Sequence, residues 1–600
     1  MTLLKIRRLT MLTVFVSSSL AFSQTETPDS DAAEDEVILT QPWFGYEWIV
    51  PEFEDISVHD PSIVVADGQF YVFGSHLSAA KTEDFMKWDR VADLVSTINP
   101  LFDNVFVELA ETFQWAQTQT LWAADVIQLE DGKYYFYYNA CRGDSPRSAM
   151  GVAVADSVEG LYVDQGIILK SGQWGQISED GETVYDAVVH PNVVDPDTFF
   201  DDEGKLWMVY GSYSGGIFIL EMDPLTGLPV EGQGYGKHLM GGNHQRIEAP
   251  HILYSPHTGY YYLFVTFGGL DAVGGYNVRV ARSLTPDGPY FDMEGNDMRD
   301  VIGPTAFNDA AIEPYGAKLM GNYLYVPTQN QLGYVSPGHS TSYLNAETGQ
   351  YFLIFHTRFP YRGEFHQVRV HEMFFNEDGW PVLAPLRYAP RIDLLTLEPE
   401  PESSEGMDDP GDSADGSSDP TQGEDEPDPA DDGVQPEPEE TPIVYYSDPI
   451  ETSQLPGEYQ FIFHGKDITS EIKRSQELFL YADGTLRTGS LEGSWQFYEI
   501  EVVPEVPEPV ESEQEAPVDP SDPPESGEDG DPGEEVPIDN PVLKNMIRLE
   551  IESFGSFKGV VSLQWNEFLE AFTVTISALS EQGTSIWGAR WAELPVTSEP

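Results

Sequence analysis

Five times between residues 62 and 357 the chain repeats one pattern: an apolar stretch, a polar turn containing glycine, and a second stretch rich in aromatics. The repeats are SIVVADGQFYVFGS (62–75), DVIQLEDGKYYFYYN (125–139), DTFFDDEGKLWMVYGS (197–212), HILYSPHTGYYYLFVT (251–266) and SYLNAETGQYFLIFHT (342–357). Two strand-forming runs joined by a short glycine turn make an antiparallel hairpin. Recurrence at roughly 55–90 residues, with almost no helical periodicity in between, fits sheets set around a common axis. A β-sandwich or β-helix would repeat at shorter and more even intervals. The expectation is an all-β chain in which residues 44–393 form a five-bladed β-propeller.

Residues 444–600 offer more short strand-like runs: EYQFIFHG, ELFLYADG, TLRTGSLEGSWQFYE, MIRLEIES, FKGVVSLQW, AFTVTISAL and SIWGARWAEL. They read as a small antiparallel β-barrel or sandwich. Between the two units, 394–443 is dominated by Glu, Asp, Pro, Gly and Ser, and a similar stretch, 504–539, interrupts the tail. Neither can bury enough apolar surface to offset the entropy of ordering, so a disordered acidic linker and a disordered acidic insertion are expected. The two stretches contain no Lys or Arg and hold close to half of the net charge of -72. So acidic a chain repels nucleic acid and anionic lipid, whose phosphates need basic partners. A neutral partner is expected, with no nucleic acid and no membrane, and a monomeric state.

The first 23 residues read as an export signal. Lys5, Arg7 and Arg8 precede the apolar run LTMLTVFVSSSLAF, and small residues precede Gln24. A membrane anchor is the alternative, for which the run is short. The protein is therefore expected outside the cell, with the periplasm as the alternative compartment. Cys141 is the single cysteine, so no internal disulfide forms, and a small buried apolar role is expected for it.

In a propeller the innermost strand of each blade lines the axis, so residues just before the repeated hairpins converge. Three acids hold such places: Asp60 in HDPSI, Asp195 in HPNVVDPDTFF and Glu248 in QRIEAPHI. Proline follows within two residues in each case and stiffens the approach to the strand. Asp-Pro is also an ordinary turn dipeptide, and it is the equivalence of three places that sets these apart. His59, His190, Asn192, Arg246 and His251 stand beside them, residue types that suit sugar hydroxyls or tune a neighbouring carboxylate. Trp115, Trp122, Tyr213 and Tyr276 flank the same face as candidate sugar-stacking aromatics, although most aromatics here must fill the core.

HDPSIVVADGQFYVFGS, HPNVVDPDTFFDDEGKLWMVYGSYSGGI, RIEAPHILY, GGYNVRVARS and FHQVRVHEMFFNEDGWPVLAP closely resemble segments of glycoside hydrolase family 43. More narrowly they resemble its extracellular endo-α-1,5-L-arabinanases with an added C-terminal β-barrel domain. The resemblance implies a five-bladed propeller and hydrolysis that inverts the anomeric centre. It assigns Asp60 as general base, Glu248 as general acid and Asp195 as the third carboxylate, which orients and tunes the acid. It assigns Asp60, Asp125, Asn192, Asp195, Ser212, Tyr213, Ser214, His244, Gln245, Arg246 and Glu248 to the substrate. It also implies that His339 helps to hold one metal ion, expected to be calcium, with waters completing the shell. Two positions depart from the family pattern: Ser340 stands where Asn is expected after His339, and LWAAD lacks the proline expected before Asp125. Arg246 would share a face with Glu248 if both lay in one strand, and is expected to reach substrate or Asp195.

The function implied is endo-hydrolysis of α-1,5-linked arabinan or arabino-oligosaccharides by a secreted enzyme. An exo-arabinanase, an α-L-arabinofuranosidase or a β-xylosidase on the same fold is the alternative. A non-catalytic carbohydrate-binding propeller is the alternative of another class.

Overall fold

The computed structural model describes residues 38–40, 47–329, 331–390, 450–501 and 542–592. The expected signal peptide 1–23, linker 394–443 and insertion 504–539 lie outside the described residues.

All five hairpins form, and each is the inner half of a separate antiparallel sheet. Blade 1 runs Ser62–Ala66, Gln69–Gly74, Ser78–Thr82 and Asp89–Ala92. Blade 2 runs Asp125–Gln128, Tyr134–Arg142, Ser145–Ala155 and Val163–Lys170. Blade 3 runs Asp197–Phe200, Leu206–Tyr210 and Ile217–Asp223, whose outer edge is shared by Leu228–Pro229 and Lys237–Met240. Blade 4 runs Ile247–Ser255, Tyr260–Phe267, Asn277–Ser283 and Ala317–Met320. Blade 5 runs Gly333–Asn345, Gln350–Arg358, His366–Phe375 and Pro381–Leu383. Each first strand touches the first strands of the two neighbouring blades, so the five close a ring around one axis.

The aromatic second strands explain how the ring holds. A blade has a neighbour on both faces, so side chains of either parity are buried. In YYFYY (134–138), Phe136 and Tyr138 pack with blade 1 residues such as Tyr71 and Phe73, whereas Tyr135 and Tyr137 pack with Met208 and Tyr210 of blade 3. Tyr261 and Leu263 of blade 4 face blade 3, and Tyr262 and Phe264 face blade 5. Large rings fill the wedge that opens between blades away from the axis. Among the described residues no strand is exchanged between the first and last blades. That seam is held by packing of Val72, Phe85 and Trp88 on Phe352, Ile354 and Val370, and by ion pairs from Asp55 to Arg369 and Arg387.

Two short helices, Val105–Glu108 and Ala110–Ala116, bridge blades 1 and 2, an exception to the all-β expectation. They are too short to show a helical period in sequence. Asn104 caps the first by accepting a hydrogen bond from the Phe106 N–H at 3.1 Å.

The tail forms a closed eight-stranded barrel: Gly457–His464, Gln476–Leu480, Thr485–Thr488, Leu491–Glu501, Val542–Ile551, Gly555–Asn566, Ala571–Ser580 and Ser585–Ala592. The run TLRTGSLEGSWQFYE divides into two strands at Gly489, which has φ +58°. Barrel and propeller share one apolar core: Ile462, Met546, Leu579 and Trp587 pack with Tyr262, Leu353 and Phe355. Buried Lys318 of blade 4 donates to the Asp467 carbonyl at 2.6 Å, and its own N–H donates to the Gly583 carbonyl at 2.8 Å. Burial and the nearby Arg279 pull the Lys318 amine down to about 7. Cys141 is buried, and burial pushes its thiol up to about 11.

Trp587 is fully buried in the shared core. Trp587→Ala is expected to cost about 3–5 kcal/mol. Calorimetry should show propeller and barrel melting together at a lower temperature; an unchanged propeller transition would mean that the two units are energetically separate.

Candidate active site

At one end of the axis the loops leading into the inner strands surround a cleft of about 470 Å³, lined by Asp60, Asp195, Glu248, His339, Tyr276 and Trp122 among others. Three acids spread over 189 positions of sequence thus share one cavity. The backbone is bent to bring them there. Asp60 has φ +57° and Asp195 φ +55°, left-handed conformations in which Asp is among the better tolerated residues. Ala249, directly after Glu248, has φ +55°, and the ladder between Ile247–Ser255 and its neighbour slips between Glu248 and His251. Such a bulge re-aims a side chain at the rim of a sheet.

The three carboxyls have different surroundings. Asp60 Oδ2 lies 2.7 Å from His59 Nδ1 and accepts a hydrogen bond from Ser75 Oγ at 2.5 Å; its Oδ1 lies 3.0 Å from His339 Nδ1. Burial alone would raise its pKa, but the imidazoles of His59 and His339 outweigh that and hold it well below the usual carboxylate range. The same contact raises His339 to about 9 against its burial. The Asp60 N–H donates to His356 Nδ1 at 3.1 Å. His356 is therefore neutral with its proton on Nε2, and burial holds its pKa well below the ordinary value. Its ring stacks on His59 at 3.9 Å.

Glu248 and Asp195 are pushed the other way. Glu248 is raised chiefly by burial, although Ser212 Oγ donates to its Oε2 at 2.7 Å and the Tyr276 hydroxyl to its Oε1 at 2.9 Å. Asp195 is raised to about 8 by burial and then by the charges of Glu248 and Asp60. Its Oδ2 accepts from the Ala249 N–H at 3.2 Å, tying the third carboxylate to the residue after Glu248. Dehydration, with the Asp60 charge as a lesser cause, shifts Glu248 toward its protonated form. The cleft thus pairs a carboxylate held toward its ionised form with two carboxyls whose burial favours the protonated form.

The other expected substrate residues are not among those lining the cleft and are held in the strands and loops around it. Asp125 is the buried first residue of the inner strand of blade 2, accepting from Ser62 Oγ at 2.5 Å and from the Thr198 N–H at 2.9 Å, and so ties blades 1, 2 and 3. Burial and neighbouring Asp197 raise it to about 7. Asn192 is buried, accepting from Ser148 Oγ at 2.6 Å. Tyr213 follows Ser212 and donates to the Gly268 carbonyl at 3.3 Å. The Ser214 carbonyl accepts from the His244 N–H at 2.8 Å. Gln245 donates to the Thr305 carbonyl at 2.8 Å. Arg246 reaches neither the cleft lining nor Asp195. It pairs with Asp309 through two hydrogen bonds and donates to the Gly274 carbonyl at 3.2 Å. It precedes the strand that starts at Ile247, so strand alternation does not place it beside Glu248. Of the neighbours noted in sequence, His251 is bonded to Asp197 and Ser342, His190 to the Asp186 N–H, and the Trp115 indole donates to the Ser148 carbonyl. His356 and His366 were not singled out in sequence. They lie on second and third strands, one inside the apolar run FLIFHT, where a lone histidine carries no signal.

A propeller with this asymmetric set of buried carboxyls defines an acid–base glycoside hydrolase. Residues 54–381 match glycosyl hydrolases family 43, and residues 438–506 and 539–588 match the C-terminal lipocalin-like domain found with it. The chain belongs to glycosyl hydrolase family 43. It is 47% identical over 544 residues to the extracellular endo-α-(1→5)-L-arabinanase 2 of Bacillus subtilis, covering 90% of this chain and 94% of that one. It is 42% identical over 551 residues to the extracellular endo-α-(1→5)-L-arabinanase of Thermotoga petrophila, covering 90% and 95%. The crystal structure of endo-1,5-α-L-arabinanase from T. petrophila superposes with a TM-score of 0.70 at 41% identity, covering 90% of this chain and 100% of that one. Among the described residues no helix is long and apolar enough to cross a membrane.

The alkaline limb of kcat/KM should follow loss of the proton shared around Asp195 and Glu248, near pH 8 on the Asp195 value. Tyr276→Phe removes a hydrogen bond that favours the anion of Glu248 and should move that limb upward. A pH–rate profile checks both, and a downward move would contradict this account of Glu248.

Proposed function

We propose that the protein is a secreted, inverting, endo-acting hydrolase of α-1,5-L-arabinofuranosidic bonds in arabinan. The observation that carries the reading is the cleft itself, where the surroundings lower the pKa of Asp60 and raise that of Glu248. Relatives similar over nearly their whole length supply the substrate class. Their extracellular naming, together with the export-signal character of residues 1–23, supports secretion.

Each carboxyl has one task. Glu248 gives its proton to the glycosidic oxygen as the bond from that oxygen to the anomeric carbon breaks. Asp60 takes a proton from a water whose oxygen bonds to the anomeric carbon from the opposite face, which inverts the centre. Ser212 and Tyr276 fix the Glu248 oxygens and stabilise the carboxylate left after proton transfer. Asp195, bonded to the Ala249 N–H, holds the approach to Glu248 and keeps a proton nearby.

A calcium ion at His339 belongs to the same proposal. Asp60, Asp195 and Glu248 line the cleft together with His339. Ser340, adjacent to His339, has a buried hydroxyl without a hydrogen-bond partner among the described residues. His339 would hold the ion, with oxygens completing a shell of the kind calcium prefers. When bound, it would supply positive charge that stabilises the ionised carboxylates. His59, Asp60 and His356 also bring donor atoms within 4.8 Å of one another. There the His356 Nδ1 lone pair is taken by the Asp60 N–H, and two imidazoles suit a softer metal.

Glu248→Gln should lower kcat by about 10²–10⁴-fold while arabino-oligosaccharide binding, followed by calorimetry, is retained. Wild-type digestion of debranched arabinan should release mixed oligomers early; a single small product would refute endo action. Chelator should depress the rate and added calcium restore it, and a rate indifferent to chelator would remove the ion from this reading.

A further inference from the structure

Beside the Glu248 wall of the cleft, the loops hold apolar side chains in water where the core does not need them. Phe307 is 60% exposed and sits at φ +55°, a left-handed conformation unfavourable for a bulky side chain. Strain of this kind persists only where the surroundings enforce it, and here they do. The Phe307 N–H donates to the His244 carbonyl at 3.2 Å and the Asn308 N–H to Gln245 Oε1 at 3.2 Å. Gln245 Nε2 returns a bond to the Thr305 carbonyl at 2.8 Å, and Asn243 Nδ2 donates to the Gly303 carbonyl at 2.9 Å. The Arg246–Asp309 pair closes the far end of the loop.

The ring so presented has company. His244 lies 6.2 Å from Phe307 at an interplanar angle of 28°, and Tyr213 lies 6.2 Å away at 56°. Tyr213 follows Ser212, which holds the Glu248 carboxyl. Outward from Phe307, exposed Ile302 lies near Gly242, and exposed Val188 accepts a backbone hydrogen bond from Asn243 at 2.9 Å. Phe307, Tyr213, Ile302 and Val188 thus form an apolar strip on hydrogen-bonded loops of blades 3 and 4, reaching through Tyr213 to Ser212, which holds the Glu248 carboxyl.

We propose that this strip, centred on Phe307, is a distal subsite for the leaving-group portion of a neutral polysaccharide chain, taking furanose faces beyond the units at the point of cleavage. The inference rests on the arabinan reading above. A sugar ring offers a C–H face to an aromatic surface and hydroxyls to flanking polar groups such as the His244 imidazole. The acidity of the chain disfavours a polyanion here. Binding energy gathered at such a distance would commit long chains to the cleft without touching the reacting bond. His244 and Tyr213 would then serve the substrate by bearing the platform, away from the cleavage point.

The test compares wild type, Phe307→Ala and Phe307→Trp on arabinotriose, arabinohexaose and debranched arabinan, with melting temperatures measured in parallel. Phe307→Ala is expected to lower kcat/KM on the hexamer and the polymer roughly tenfold, through KM, the scale of one lost aromatic contact. On the trimer it should stay within about twofold of wild type, and Phe307→Trp should restore the long-chain rate. Equal rates on all three substrates would overturn the subsite. So would an equal loss on all three, which would make Phe307 a support for the catalytic loops. A wild type that leaves arabinan intact would remove the arabinan reading and the subsite together, whereas an active wild type with an indifferent variant removes the subsite alone.

Discussion

Burying three carboxyls around one cleft is the constraint on which the rest of this structure depends. Dehydrated side by side, they cannot all ionise. The surroundings decide the balance: Asp60 is in direct contact with two imidazoles and a serine hydroxyl, while Glu248 and Asp195 are hydrogen-bonded only by neutral donors and feel His339 from further away. The base and the acid proposed here follow from that asymmetry rather than from the identity of the residues. Left-handed backbone at Asp60 and Asp195 and the slipped ladder at Glu248 are the conformations that bring the three together.

The barrel takes part in the same arrangement. Its 465–473 segment presents backbone carbonyls to buried Arg279, Lys318 and Asn322 of the propeller. The approach is close enough that a Cβ on Gly275 would lie 2.9 Å from the Thr469 nitrogen. The next residue is Tyr276, which donates to Glu248. The barrel is thus a continuation of the blade 4 and blade 5 core, one residue removed from the catalytic wall. Buried polar groups satisfied across a joint fix its geometry, because leaving any one unpaired is costly.

Local patterns made much of the fold legible. Each inner hairpin is written in an apolar run, a glycine turn and an aromatic run, and all five formed as read. The three acids were visible because they occupy the same position relative to separate repeats. Asp125, Asn192, Gln245 and Arg246 looked similar in sequence but stand behind the cleft, holding loops and inner strands together. Their direction depends on where a loop turns, and a bulge or one left-handed residue reverses it. Arg246 illustrates this: it stands one residue outside the strand, and Asp309, 63 positions later, captures its guanidinium. His356 left no mark in sequence because its role comes from a partner 296 residues away.

Periodicity and turn chemistry alone determined the number of blades and the strand-rich character of the tail, since each reflects contacts between near neighbours. Which acid keeps its proton, where Arg246 points and how Phe307 is held out in water were decided only when distant loops met. Those outcomes turn on dehydration and on partners that no local window of residues contains.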